Sequence, residues 1–363
     1  MGLLDRYVLR VFALTWVVIG AALLGLFSVF DLLGHGDELG QAAEQGGALA
    51  ALVGRYYLYS LPFHLVQFAP YVTLMAGIGT VQALARGREW TPMLAAGRPS
   101  LRAFLPLFLG AAMVALGVSA ARERLLPGLA APREALDKHV FAQRDWQMDD
   151  LWARGRDAAR LHAERFDPGT VPGIPGGAVR PPALLALEVY DSAADGAYRL
   201  LTADAAVWDG QGWELRNGLL VTEGRSEERR ERFEHPDLEP ADLQLAYFAQ
   251  VNPLFLSAAQ LRDLLSRDPQ HRQAATLLWS WRLAPLGHVL LLLIGLPFVL
   301  RFDRRSTLEG VAIGMLLGGL YFVLEILLQD LGGRGVLPAF WAGAGATLLF
   351  GSLAFWALDR LPT

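Results

Sequence analysis

Long stretches of this chain contain no Asp, Glu, Lys or Arg: Val11–Phe30, Tyr56–Ala85, Ala103–Ala121, Leu283–Leu300, Gly310–Leu324 and Val336–Leu358. A helix crosses about 30 Å of hydrocarbon with roughly 20 apolar residues. Three of the runs meet that length comfortably, and Ala103–Ala121 is just long enough. The two shorter runs reach it when Arg282 or Glu325 is admitted into the span. The pattern predicts six transmembrane helices. The second run would be about 45 Å long as one helix. Pro62 and Pro70 suggest that part of Tyr56–Pro62 lies along the interface before the chain turns inward.

Between the third and fourth spans the pattern changes. Leu184–Asp191 and Tyr198–Leu220 read as strands, and the Asp-Gly-Gln-Gly at 209–212 is a turn signal between half-apolar runs. Phe166–Pro182 is a loop rich in Pro and Gly. Glu223–Glu239 is a charge run that suits a solvated edge, and Leu256–Ser266 reads as a helix leading back to the membrane. The expected architecture is helical and membrane-spanning with an inserted all-β domain. Residues 1–121 hold three spans and a loop at 85–102, residues 122–272 form the inserted domain, and residues 273–363 hold three more spans.

Composition agrees. The chain is 53% hydrophobic and 19% charged, whereas a soluble domain is about 25% charged. Arginines orient it. Arg6 and Arg10 precede the first span, Arg86, Arg88, Arg98 and Arg102 lie around the second turn, and Arg301, Arg304 and Arg305 follow the fourth span. The loop after the first span instead holds Asp31, Asp37, Glu38 and Glu44 against Arg55. The positive-inside rule puts both termini and the Arg-rich loops in the cytoplasm and the inserted domain outside. The first span is too long for a signal-peptide core and lacks a clean cleavage site. Cysteine is absent, so the inserted domain folds without disulfides.

Several chemistries are excluded. Lys138 is the only lysine and follows Asp137, so no Gly-Lys-Ser/Thr phosphate loop exists. There is no H-E-x-x-H zinc site and no G-x-S-x-G nucleophile elbow. Gly34-His-Gly-Asp37 resembles the G-x-G-D of intramembrane aspartyl proteases, but Asp37 falls in a loop and no second span offers a facing aspartate. Arg282 and Glu325 lie in antiparallel spans at similar depth and are expected to pair, either as a structural ion pair or within a polar cavity. His64 and His288 suit helix packing better than a proton relay. The spacing Gly310-x-x-x-Gly314-x-x-x-Gly318, echoed by Gly343, Thr347 and Gly351, lets helix backbones approach closely, within the chain or between subunits.

At the loop between the second and third spans, Glu89-Trp-Thr-Pro-Met93-Leu94-Ala-Ala-Gly97 resembles the E-L-x-x-M-x-A-x-G segment of the lipopolysaccharide-export permeases. The Leu-Leu-Asp-Arg-Tyr start at 3–7, the second span at 60–89, and the stretches at 278–298 and 321–332 are similar to the same family. The Leu-Asp-Arg-Tyr start and Leu278-Trp-Ser280 resemble the G-like paralogue more than the F-like one. The resemblance implies a non-catalytic permease subunit in a bacterial inner membrane. It implies a paralogous permease partner and a dimeric cytoplasmic ATPase that binds the ATP and magnesium. It also implies a periplasmic β-jellyroll that passes lipopolysaccharide to a membrane-anchored bridge protein. No cofactor is expected in this chain, no metal site, and no nucleic acid among its partners.

By the same resemblance, Arg88, Glu89, Trp90, Met93, Leu94 and Gly97 form the coupling helix that fits a groove on the ATPase. Their apolar face with flanking charge suits such a groove, and an interfacial helix resting on headgroups is the plainer reading. Lipid would enter between the first and fifth spans, which makes Phe27, Phe30, Tyr321 and Leu324 candidates for lining its path. Two departures stand out. Position 94 is Leu where many relatives are polar or basic. The stretch after the first span, Phe30–Gly40, holds acids and a histidine where some relatives carry phosphate-binding lysines, so that role is not carried over. A rival reading is a membrane-anchored scaffold whose β-domain binds a periplasmic partner, but one span would suffice for that. An ion-driven secondary transporter should show inverted repeats or broken helices, and neither is visible. Reporter fusions at Pro92 and Asp303 are expected to read cytoplasmic and a fusion near Gly210 external. A cytoplasmic signal at Gly210 overturns the arrangement.

Overall fold

The computed structural model describes residues 2–36, 49–87, 100–140, 147–169, 180–192, 196–301 and 307–358. In chain order these form α1 (Leu3–Gly34), α2 (Leu49–Arg86), α3 (Ser100–Arg124) and α4 (Leu126–Val140). Six strands follow: β1 (Met148–Arg154), β2 (Arg160–Asp167), β3 (Ala183–Ser192), β4 (Tyr198–Trp208), β5 (Trp213–Thr222) and β6 (Glu228–Phe233). The chain continues through α5 (Pro240–Val251), α6 (Ala258–Arg267), α7 (Arg272–Arg301), α8 (Thr307–Gly333) and α9 (Ala339–Leu358). Helices α1, α2, α3, α7, α8 and α9 are each long and apolar enough to cross a membrane. The protein is a helical membrane protein with an inserted β-sheet domain. The chain divides into a helical unit (Met1–Gly34, Leu61–Arg124, Ala275–Thr363) and a sheet unit (His35–Ser60, Leu125–Ala274).

Inside the helical unit α2 and α7 are central. Their spans are 56% and 50% buried, against 11% for α1 and 17% for α8. One apolar cluster joins Val8 and Phe12 of α1, Val81 and Leu84 of α2, Phe104 and Leu107 of α3, and Leu292 and Leu296 of α7. A second joins Leu74 and Ile78 of α2, Leu291 and Ile294 of α7, Tyr321 of α8 and Phe350 of α9. Lipid tails are as apolar as leucine, so helices associate through close packing at small residues. A Cβ on Gly77 would meet Leu292 at 1.9 Å, and one on Gly343 would meet the Thr276 carbonyl oxygen at 2.3 Å.

The second span departs from expectation. It does not turn at Pro62 but runs unbroken from Leu49 to Arg86, about 57 Å at 1.5 Å per residue. Its first turns gain burial in the sheet unit. Tyr56 packs against Leu136 of α4, with Leu52, Val53, Tyr57 and Tyr59 around them. Arg133 Nε donates to Ser60 Oγ at 3.2 Å, and the guanidinium lies 4.9 Å from the Phe255 ring centre.

The six strands form one antiparallel sheet in the order β1-β2-β3-β4-β5-β6. This consecutive antiparallel sheet is the inserted β domain expected from the sequence. Each strand pairs with its neighbour in sequence, and the connections β1–β2, β3–β4, β4–β5 and β5–β6 are five residues or fewer. Helices α4, α5 and α6 belong to the same unit as the sheet, and α6 covers most of the helix read at Leu256–Ser266. The β4–β5 turn is the one read from Asp209–Gly212. The Asp209 carboxylate accepts from the backbone N–H of Gln211 and of Gly212, both at 2.8 Å, and these bonds hold its pKa below the usual carboxylate value.

A line of irregularities crosses the strands. Buried positions sit three apart at Met148 and Leu151, Ala163 and Phe166, Leu184 and Leu187, and Ala203 and Ala206. The register places these breaks side by side. Asp150, Ala186 and Asn217 adopt left-handed φ of 52°, 49° and 55° along it. Bulges bend a strand and increase its twist, so an aligned row bends the whole sheet while keeping one face inward.

The two sheet edges differ. Along β1 packs α5, and the Gln250 amide donates to the Trp152 carbonyl. On β6, Glu228 to Arg232 are all exposed. Arg267 of α6 ties the helices down. It donates to Asp242 at 2.6 Å and to the Asp237 carbonyl at 2.8 Å, and pairs with Asp263. Trp213 is fully buried, and its indole N–H donates to the Leu238 carbonyl at 2.9 Å. Trp213→Ala is expected to cost about 3–5 kcal/mol. Trp213→Phe, which keeps one aromatic ring but loses the indole N–H and part of the buried volume, should cost less than Trp213→Ala and at least the roughly 1 kcal/mol of the lost bond, with the ranking read from thermal unfolding of the full-length protein.

Candidate functional site

Arg88, Glu89, Trp90, Met93, Leu94 and Gly97, expected by resemblance to form a coupling helix, lie outside the described residues, as does Asp37 of the G-x-G-D match. Their flanks are described. Helix α2 ends at Arg86, where the Gly87 N–H still donates to the Ala83 carbonyl at 3.0 Å, and α3 starts at Ser100. Val81 and Leu84 on one flank and Phe104 and Leu107 on the other sit in the same apolar cluster. The loop is therefore rooted at both ends in packed helix, the kind of base that holds a docking segment in place.

Polar groups within the spans form three small constellations. In the first, the Trp16 indole N–H donates to Thr73 Oγ1 at 3.2 Å, and Thr73 Oγ1 lies 3.1 Å from His288 Nδ1. This chain joins α1, α2 and α7 with Thr73 and His288 both buried. In the second, Tyr321 and Thr347 hydroxyls are 3.3 Å apart, joining α8 to α9. In the third, Glu325 of α8 accepts from Ser280 Oγ at 3.0 Å and from Gln329 Nε2 at 3.3 Å, and Gln329 also donates to Ser280 at 3.0 Å.

The expected pairing of Arg282 with Glu325 is not formed. The cation whose charge acts on Glu325 is Arg122, at the end of α3, with its guanidinium 5.1 Å from the Trp281 ring centre. Arg282 instead lies 5.0 Å from the Trp279 ring centre. The reason is helical phase: successive residues point about 100° apart, so positions 281 and 282 face different neighbours. Arg122 went unrecognised because it directly follows an uncharged run and reads as the first residue of the inserted domain. Ser280 and Gln329 carry no sequence signal beyond being polar in a span.

The four candidate lipid-lining residues are not brought together. Phe27 packs on α2, 4.1 Å from the His64 ring centre and 5.8 Å from that of Phe68. Tyr321 is 2% exposed and stacked edge-on against Phe350 at 5.1 Å, so it belongs to the subunit's own core rather than to a lipid surface. Leu324 is partly buried against that core. Phe30 is the one that is well exposed, at 65%. On the face of α8 read as a close-packing stripe, a Cβ on Gly314 would meet Met75 at 2.6 Å, and one on Gly318 would meet Tyr71 at 3.0 Å. Both glycines therefore face α2 of the same chain, while for Gly310 only the backbone is described. Among the described residues no group of His, Asp and Glu could hold a metal ion.

Among the described residues the helical unit is a bundle with polar links inside and two little-buried spans, α1 and α8. The family model for the lipopolysaccharide export system permease LptF/LptG matches residues 6–360. The chain belongs to that family. The permease is thus a multi-pass inner-membrane component of lipopolysaccharide export. No curated protein matches its sequence.

Within the permease, the Glu325 constellation makes a definite demand. Removing one partner of a buried hydrogen-bonded group costs about 1–3 kcal/mol. Glu325→Ala is expected to lower the thermal stability of the purified permease by an amount in that range, and Arg282→Ala to leave it nearly unchanged. Equal losses from both substitutions would restore the Arg282 pairing.

Proposed function

We propose that this permease is one half of an ATP-driven extractor. It pairs with a paralogous permease, and a dimeric cytoplasmic ATPase, which holds the ATP and magnesium, docks on the loop from Arg88 to Gly97. Both termini lie in the cytoplasm and the sheet unit lies in the periplasm. Lipopolysaccharide moves through the paired subunits and then to a membrane-anchored periplasmic bridge. The family match across nearly the whole chain carries this reading. It is supported by the order of three spans, sheet unit and three spans; the chain has no phosphate-loop lysine, as expected if hydrolysis belongs to another subunit. Helices α1 and α8 are the least buried spans, as expected if they face the lipid path and the paralogue. Phe30, well exposed on α1, then stands on that path.

The decisive experiment concerns the loop. Trp90→Asp places a charge in an apolar groove, and a buried unpaired charge at an interface costs about 2–5 kcal/mol or more. That corresponds to roughly 30- to several-thousand-fold in affinity. The spans do not take part in this contact, so membrane insertion should stay near wild type. The expected result is a permease that is present in the membrane, has lost its co-purifying ATPase and no longer exports lipopolysaccharide. Retention of both the ATPase and export would make the loop an interfacial helix.

A further inference from the structure

Two guanidinium groups stack on two tryptophans of α7, and their surroundings differ. Arg122 over Trp281 lies within electrostatic reach of Glu325. Arg282 over Trp279 is exposed and, among the described residues, forms no ion pair. It directly precedes the uncharged run Leu283–Leu300 and so sits where hydrocarbon gives way to headgroups. A guanidinium keeps its charge, and at such a position the charge is costly unless an anion or water meets it. The ring covers one face of the guanidinium, while the in-plane N–H donors stay open.

The neighbouring residues suit a lipid. Trp279 is braced edge-on by Phe340 at 5.1 Å, and Phe340 meets Trp341 at 5.2 Å. Phe340 and Trp341 are 39% and 58% exposed, as aromatics at a membrane interface are. Leu286, one helical turn deeper than Arg282, is 52% exposed and offers an apolar wall. A planar fork of donors matches a phosphate, and the apolar wall below it matches an acyl chain.

We propose that Arg282, held on the Trp279–Phe340 shelf, binds the phosphate of a membrane lipid whose chain lies along Leu286. The site requires only that α7 spans a membrane, so it stands or falls separately from the identity of the exported molecule. The test is native mass spectrometry of the purified permease complex titrated with phosphatidylglycerol, lipid A, diacylglycerol and inorganic phosphate. Wild type is expected to bind a phosphate-bearing lipid at least tenfold more tightly than R282Q, with R282K intermediate because it keeps the charge but not the fork. Diacylglycerol should bind wild type and R282Q alike. Discrimination with phosphatidylglycerol alone would identify a boundary phospholipid, and discrimination with lipid A alone would identify the exported glycolipid; either supports the site. Equal binding of both lipids by wild type and R282Q overturns it, as does discrimination confined to inorganic phosphate. Should R282Q not yield folded complex, W279A removes the shelf and keeps the cation; unchanged lipid affinity in W279A also overturns the proposal.

Discussion

Leu292 of α7 occupies the space left by Gly77 of α2, and Leu74 of α2 occupies the space left by Gly295 of α7. A Cβ at either glycine would come within 2.5 Å of the opposing leucine. In a bilayer this reciprocal fit matters more than it would in water, because apolar surface gains little by leaving lipid for protein. Contact geometry has to supply the cohesion. The Thr73–His288 contact lies beside this seam and adds direction to it. On one flank α1 and α3 complete an apolar cluster, and on the other α8 and α9 complete a second. Loss of the seam would leave two incomplete groups of helices.

The polar groups follow the same economy. Glu325, Ser280 and Gln329 satisfy one another across α7 and α8, and Arg122 supplies the opposite charge. Arg282, one residue along from Trp281, meets the Trp279 ring and, among the described residues, no carboxylate. Whether a charged side chain in this bundle is internal or outward-facing is therefore decided by its angular position on the helix.

That rule also marks how far the sequence could be read. The six spans were legible because charge is absent over long runs, a property of composition that needs no neighbour. The β4–β5 turn was legible because Asp209 to Gly212 is a local signal, completed by the Asp209 side chain. The Arg282–Glu325 pairing failed because similar depth does not imply facing directions. The continuity of α2 past Pro62 was hidden because the stabilising partners, Leu136 and Arg133, are about 70 residues away in sequence. The aligned bulges were equally hidden. Asp150 and Asn217 tolerate left-handed φ, but Ala186 gives no hint of it. The docking role proposed for Arg88 to Gly97 is read from sequence resemblance, because that stretch lies outside the described residues.

The contrast between the sheet's edges bears on how the sheet can be extended. One edge is already covered by α5 and capped at the Trp152 carbonyl by Gln250. The other presents Glu228, Arg229, Arg230, Glu231 and Arg232 to solvent, a pattern that discourages indiscriminate strand pairing. A sheet stopped on one side is a chain terminator. It can accept one added strand at β6, from a partner whose charges answer those arginines, but it cannot itself be inserted between two others. Any row of sheets built by strand addition would begin or end at this subunit and could not pass through it.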